Sequence, residues 1–141
     1  DVVIKVYNGR FIPENYVSSE SLRMSIYKNL ASVSSEKEVD DILHNLVNRF
    51  GPAPVQLLNL LNESRLRLLA AIAGIRSVVW RGCGLVCTIE HRMGDCFTVA
   101  VMNYLDRFFS DVCIRFHFVP SNNNNLLLCI HVQKSSDNYL L

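Results

Sequence analysis

The chain has 141 residues, enough for one domain to bury a substantial core. Half of them are hydrophobic and only 19% are charged, which excludes a disordered chain and implies extensive buried or partner-covered surface. The net charge of +1 excludes a protein-wide basic footprint for nucleic acid and leaves room only for a local patch.

The run Val2-Val3-Ile4-Lys5-Val6-Tyr7 has the β-branched content of a strand and ends at Asn8-Gly9. The strand opens at the second residue, so the expectation is one domain, residues 1–141, excised from a longer multidomain chain. Phe11 to Val17 follows as an extended connector, because Pro13 turns Ile12 away from helical angles.

Three helices come next. Ser18 can cap the first, from about Ser19 to Ala31, with Leu22, Ile26, Tyr27 and Leu30 on one face. Ser35 followed by Glu38 is a capping-box pattern for the second, whose Val39, Ile42, Leu43, Leu46, Val47 and Phe50 repeat at helical spacing. The third, about Pro54 to Ala73, is apolar on most sides and therefore central.

The second and third helices meet at Phe50-Gly51-Pro52-Ala53-Pro54. Gly51 can take the positive φ that closes a helix, and Pro52 lacks the N–H needed to continue one. Pro54 suits the first turn of a new helix, where a missing N–H costs nothing. This stretch is the corner on which the helices are organised.

After Gly74 the period changes. Ile75–Trp80 and Leu85–Ile89 read as a β-hairpin joined across Arg81-Gly82-Cys83-Gly84. Asp95 can cap a fourth helix from about Phe97 to Phe109. Two more strands follow: Ile114, Phe116 and Phe118 alternate with Arg115 and His117, and Leu128, Ile130 and Val132 alternate with Cys129 and His131. Ser121 to Asn125 is an exposed loop between them, and residues 134–141 carry no clear pattern. The expected fold is α+β, a layer of three helices followed by a small, mostly antiparallel sheet with one further helix.

The chemistry is sparse. The five cysteines form no C-x-x-C pair and no signal peptide is present, so reduced, mostly structural thiols in the cytoplasm are expected. Neither the spacing of zinc ligands nor a run of membrane-spanning length occurs. No cofactor or metal is therefore expected. His117 and His131 could meet across paired strands beside Cys129 as a metal or acid-base site, but the polar outer face of a sheet is the better reading of them. Asp40 and Asp41 are adjacent on a helix and diverge by about 100°, so they cannot share a proton. Arg65, Arg67, Arg76 and Arg81 could make a basic patch, but only Trp80 offers an aromatic nearby. No G-x-x-x-x-G-K-[ST] loop is present, so neither ATP binding nor hydrolysis is expected of this chain.

Asn45-Leu46-Val47-Asn48-Arg49-Phe50-Gly51-Pro52 carries a family resemblance when read in order with Ile12-Pro13-Glu14-Asn15-Tyr16-Val17, Leu22–Lys28, Leu66–Leu69 and Gly74-Ile75. Together these resemble the C-terminal domain of bacterial transcription-repair coupling factors. The resemblance runs from Val2 to Ile75, and beyond it the order of elements alone is similar. It implies a non-catalytic, autoinhibitory domain of an ATP-dependent DNA translocase that removes stalled RNA polymerase and recruits nucleotide-excision repair, the motor lying in other domains. The family usually has Glu-Leu-x-Asp-Arg-Phe-Gly before the corner. Its acids suit ion pairs with the parent's excision-repair-like N-terminal module, a contact that hides the surface for the excision-repair protein UvrA. Here Asn45 and Asn48 replace the two acids while Arg49, Phe50 and Gly51 match, so the implied latch has lost its charge component. Asn45, Asn48 and Arg49 are the implied interface, Phe50, Gly51, Pro52 and Pro54 its structural corner. Partners are then other domains of the parent and, through it, UvrA and RNA polymerase, without direct DNA or membrane contact. The alternatives are a DNA- or protein-binding α+β module unrelated to repair, and a small hydrolase around His117, His131 and Cys129.

Overall fold

The computed structural model describes residues 1–82, 84–90, 114–121 and 125–132. The expected fourth helix, the tail from 134, and His91, Cys83, Cys96 and Cys113 lie outside the described residues. The chain divides into two compact units, Val6–Ala73 and Asp1–Lys5 with Gly74–Leu141.

The helical unit contains α1 (Glu20–Ser32), α2 (Glu36–Phe50) and α3 (Val55–Ile72). Ser19 rather than Ser18 caps α1, its hydroxyl accepting from the Leu22 N–H. The shift has a visible cause. The Arg23 guanidinium donates to the carbonyls of Val17 and Ser18 at 2.7 and 3.0 Å, holding both residues outside the helix. Ser35 caps α2 as the capping-box pattern predicts, accepting from the Glu38 N–H. Glu38 reaches back one residue further than a standard box, accepting from the Ser34 N–H at 3.2 Å.

The core of this unit is Ile12, Val17, Ile26, Leu30, Val39, Leu46, Leu57 and Leu61, drawn from the connector and all three helices. Leu57 and Leu61, one turn apart on α3, are fully buried, each contributing about 1.5–3 kcal/mol of transfer free energy. Both α1 and α2 pack on α3, the central helix its composition predicts. The connector is fastened along its length. Asn59 donates to the carbonyls of Asn8 and Gly9, Arg10 pairs with the buried Glu63, and the Tyr27 hydroxyl accepts from the Ile12 N–H at 2.8 Å.

The second unit is a five-stranded sheet: β1 (Val3–Lys5), β2 (Ile75–Arg81), β3 (Gly84–Glu90), β4 (Ile114–Pro120) and β5 (Asn125–Val132), in the order β1-β2-β3-β5-β4. All neighbours are antiparallel except β1, which runs parallel to β2. The β2–β3 hairpin closes with Arg81 opposite Gly84, leaving a two-residue loop whose Gly82 has φ 62°. Register places Val78, Cys87 and Leu128 on one face, and all three are buried, together with Ile4 opposite Val78. The other face begins with Ser77 and Thr88, whose hydroxyls hydrogen-bond at 2.9 Å.

Candidate functional site

The corner between α2 and α3 is built from interlocking backbone and side-chain contacts. The Gly51 N–H donates to the Val47 carbonyl at 2.9 Å, the last bond of α2, and Gly51 itself has φ 89° and ψ −164°. That conformation is essentially restricted to glycine. Pro54 stands at the N-cap of α3 rather than in its first turn, and its carbonyl accepts from the N–H groups of Leu57 and Leu58. Proline has no hydroxyl or carboxylate to cap with, but its fixed φ delivers the chain into the helix.

Tyr16 locks this corner from the connector. Its hydroxyl hydrogen is shared between the carbonyls of Gly51 at 2.8 Å and Leu46 at 3.2 Å, joining the connector to the last turn of α2 and to the residue that follows it. Burial pushes the Tyr16 phenol above its usual pKa. The Tyr16 ring leans on Phe50, centroids 5.7 Å apart at 55°. The Arg49 guanidinium lies over that same Phe50 ring, 5.1 Å from its centroid. A single stack thus runs from the connector through Phe50 to an exposed cation.

Asn45, Asn48 and Arg49 are all exposed on the last turns of α2. Spacings of three and four put Asn48 and Arg49 next to Asn45 on one helix face. Arg49 also lies in the last turn, where the helix dipole favours a cation. Phe50 packs against the helical core from a half-buried position, and Pro52 is exposed at the tip. The sequence-predicted interface and corner residues are therefore contiguous. Tyr16 is the member that pattern reading misses, because a phenol 35 residues from Gly51 leaves no local signal.

The remaining candidates separate. Asp40 pairs with Arg65 at 2.6 Å and Asp41 with Lys37 at 3.2 Å, so the two carboxylates serve different partners. Arg67 donates to the Leu30 carbonyl at 2.8 Å, and Arg65 also donates to Asn62. The α3 arginines thus serve the helical unit internally, while Arg76 and Arg81 belong to the sheet unit. His117 and His131 do meet: their rings stack with centroids 5.0 Å apart and planes 9° apart. Cys129 is the register partner of His117. Among the described residues no group of three or more His, Cys, Asp or Glu is placed to hold a metal ion. Cys87 is a buried thiol whose pKa is pushed up to about 11, by desolvation first and by the neighbouring Cys129 second.

This geometry defines a small α+β domain, its helical corner braced from behind and presenting amides and one cation to solvent. The TRCF domain family matches residues 9–95, and the chain belongs to that family of transcription-repair coupling factor domains. It is 36% identical over 105 residues to the transcription-repair-coupling factor of Rickettsia prowazekii (strain Madrid E), covering 74% of this chain and 9% of that protein. It is 39% identical over 70 residues to that of Borreliella burgdorferi, covering 50% of this chain and 6% of the other. With that of Mycobacterium tuberculosis (strain CDC 1551 / Oshkosh) it shares 36% identity over 78 residues, 55% of this chain and 6% of the relative. The chain thus spans less than a tenth of these relatives' length. A crystal structure of the C-terminal domain of a transcription-repair coupling factor superposes with a TM-score of 0.72 at 15% identity, covering 96% of this chain and 82% of that one. That similarity is one of fold. No helix among the described residues is long and apolar enough to cross a membrane.

Proposed function

We propose that this domain is a non-catalytic docking element of a transcription-repair coupling factor, holding the parent protein in a closed state until stalled RNA polymerase is engaged. The observation that carries the reading is the exposed cluster of Asn45, Asn48 and Arg49 beside a corner fixed by Tyr16, Phe50 and Gly51. A docking surface gains affinity from preorganisation, because side chains already held lose less freedom on binding. The Arg49 guanidinium, resting on Phe50, is such a group.

The occupant we assign is the parent's excision-repair-like N-terminal module. In this reading the contact masks the surface that UvrA would use, and the ATP-driven translocase activity belongs to the parent's other domains. Asn45 and Asn48 supply neutral amide hydrogen bonds where acids would supply charge-assisted ones, so the closed state is weaker and less sensitive to salt. Titration of this domain against the isolated N-terminal module, followed by calorimetry, tests the assignment. Saturable one-to-one binding that weakens with Arg49→Glu is expected; absence of binding by the folded domain overturns it.

A further inference from the structure

The sheet register assembles a second surface that owes nothing to the docking corner. Arg81 pairs with Gly84, Gly84 with His131, and His131 with Arg115, one row across four strands. In the adjacent row Lys5 pairs with Val79, Val79 with Val86, Val86 with Cys129, and Cys129 with His117. Cross-strand partners share a face, and residues two apart on a strand return to it, so both rows belong to one side of the sheet. It is the side opposite buried Val78, Cys87 and Leu128.

Lys5, Arg81, His117 and His131 are exposed, while Val79, Val86 and Cys129 are half-buried between them. The surface therefore has a flat apolar middle, cations at Lys5 and Arg81, and two imidazoles stacked face to face. Neither row contains an Asp or Glu. At about 4.8 Å between strands, the five-strand row is roughly 19 Å long and the four-strand row roughly 14 Å.

We infer that this sheet face binds single-stranded nucleic acid, phosphates meeting Lys5 and Arg81 and a base extending the His117–His131 stack. A sheet with exposed π faces and flanking cations is a sequence-tolerant platform for unpaired bases. A duplex keeps its base faces inside its own stack and offers nothing to the imidazoles. An acidic peptide would meet the cations but has no flat face for the stack or for the Val79–Val86–Cys129 strip. The inference is independent of the docking proposal, since none of its residues lies on α2.

The experiment is fluorescence anisotropy of a labelled thymidine oligonucleotide of about 12 nucleotides, titrated with the whole chain at several salt concentrations. Wild-type protein is expected to bind with Kd of about 10⁻⁶–10⁻⁴ M. Lys5→Gln/Arg81→Gln lowers affinity and reduces the slope of log K against log salt by about 1.4, two single-strand contacts at about 0.7 each. His117→Ala/His131→Ala lowers affinity by about tenfold with the slope unchanged, the mark of lost stacking rather than lost charge. Lys28→Gln/Lys37→Gln, the same charge change on exposed helical positions, leaves binding unaltered. Circular dichroism melts confirm that each variant is folded. The inference is overturned if the folded wild type does not bind, if the helical control loses as much affinity as Lys5→Gln/Arg81→Gln, or if the imidazole variant binds like wild type. It is equally overturned if polyglutamate or a duplex of equal charge competes as well as the thymidine strand.

Discussion

The Tyr16 hydroxyl donates to the Gly51 carbonyl at 2.8 Å, tying the connector before α1 to the residue that ends α2. Tyr16→Phe keeps the ring against Phe50 and removes only this bond and its shared partner at Leu46. It is expected to destabilise the domain by about 1 kcal/mol in urea unfolding. The pH dependence has a definite sign. Burial raises the folded-state pKa of Tyr16, so its contribution is complete below the unfolded value near 10 and is lost as pH rises through the folded value. Wild-type stability should therefore fall more steeply than that of Tyr16→Phe above about pH 10. Parallel curves for the two proteins would remove the phenol from the account.

Gly51 tests the corner from the other side. A Cβ at this position would meet nothing within 4 Å, so any cost of substitution is backbone strain at φ 89°. Gly51→Val is expected to lose roughly 1–3 kcal/mol, and Gly51→Ala somewhat less. Thermal melts that superimpose on wild type would mean that the turn relaxes to another conformation.

Several of these features are legible in the sequence and several are not, for physical reasons. Ser35 with Glu38, and Gly51 followed by Pro52, announce themselves because capping and helix termination are local backbone chemistry. The apolar spacing of α2 and α3 points to their buried faces at Val39, Leu46, Leu57 and Leu61, whereas Asn45, Asn48 and Arg49 stand out only through the family resemblance. Long-range partners leave no such trace. Arg10 finds Glu63 across 53 residues, and β1 pairs with β2 only after the whole helical unit has intervened. The β4–β5 hairpin is readable from its alternation, but nothing local says that β5 rather than β4 lies beside β3. The partners of Arg65 and Arg67 are equally invisible: Asp40 and the Leu30 carbonyl lie 25 and 37 residues away.

The Arg10–Glu63 pair makes an unequal prediction for its two members. Glu63 is buried, Arg10 is half exposed, and Glu63 Oε2 has no hydrogen-bond partner among the described residues. Removing the cation strands a buried carboxylate, whereas removing both charges does not. Arg10→Met should cost roughly 1–3 kcal/mol in urea unfolding, and Arg10→Met/Glu63→Leu should recover most of it. A double variant less stable than the single would show that the pair stabilises the connector by more than its desolvation costs.

Gly84 predicts the integrity of the sheet. A Cβ there would sit 2.3 Å from the Ile130 carbonyl oxygen and 3.2 Å from its carbon, backbone atoms that cannot rotate away. Gly84→Ala must therefore part β3 from β5, at a cost of about 2 kcal/mol or more. Hydrogen exchange should accelerate at the β5 amides around Ile130 while α3 stays protected. Unchanged protection in β5 would contradict the close approach.

The docking claim is tested most directly by returning charge to the corner. Asn45→Glu with Asn48→Asp places two acids on the exposed face that already carries Arg49. Exposed ion pairs contribute about 0.2–1 kcal/mol each, so binding to the isolated N-terminal module should tighten a few-fold and become more sensitive to salt. Arg49→Glu should weaken it under the same conditions. The measurement is the dissociation constant of wild type and these variants at low and moderate salt, with melts to confirm equal folding. Tightening by the acidic pair and weakening by Arg49→Glu is the predicted result; a single affinity shared by the whole set, or no binding by any member, would contradict the account.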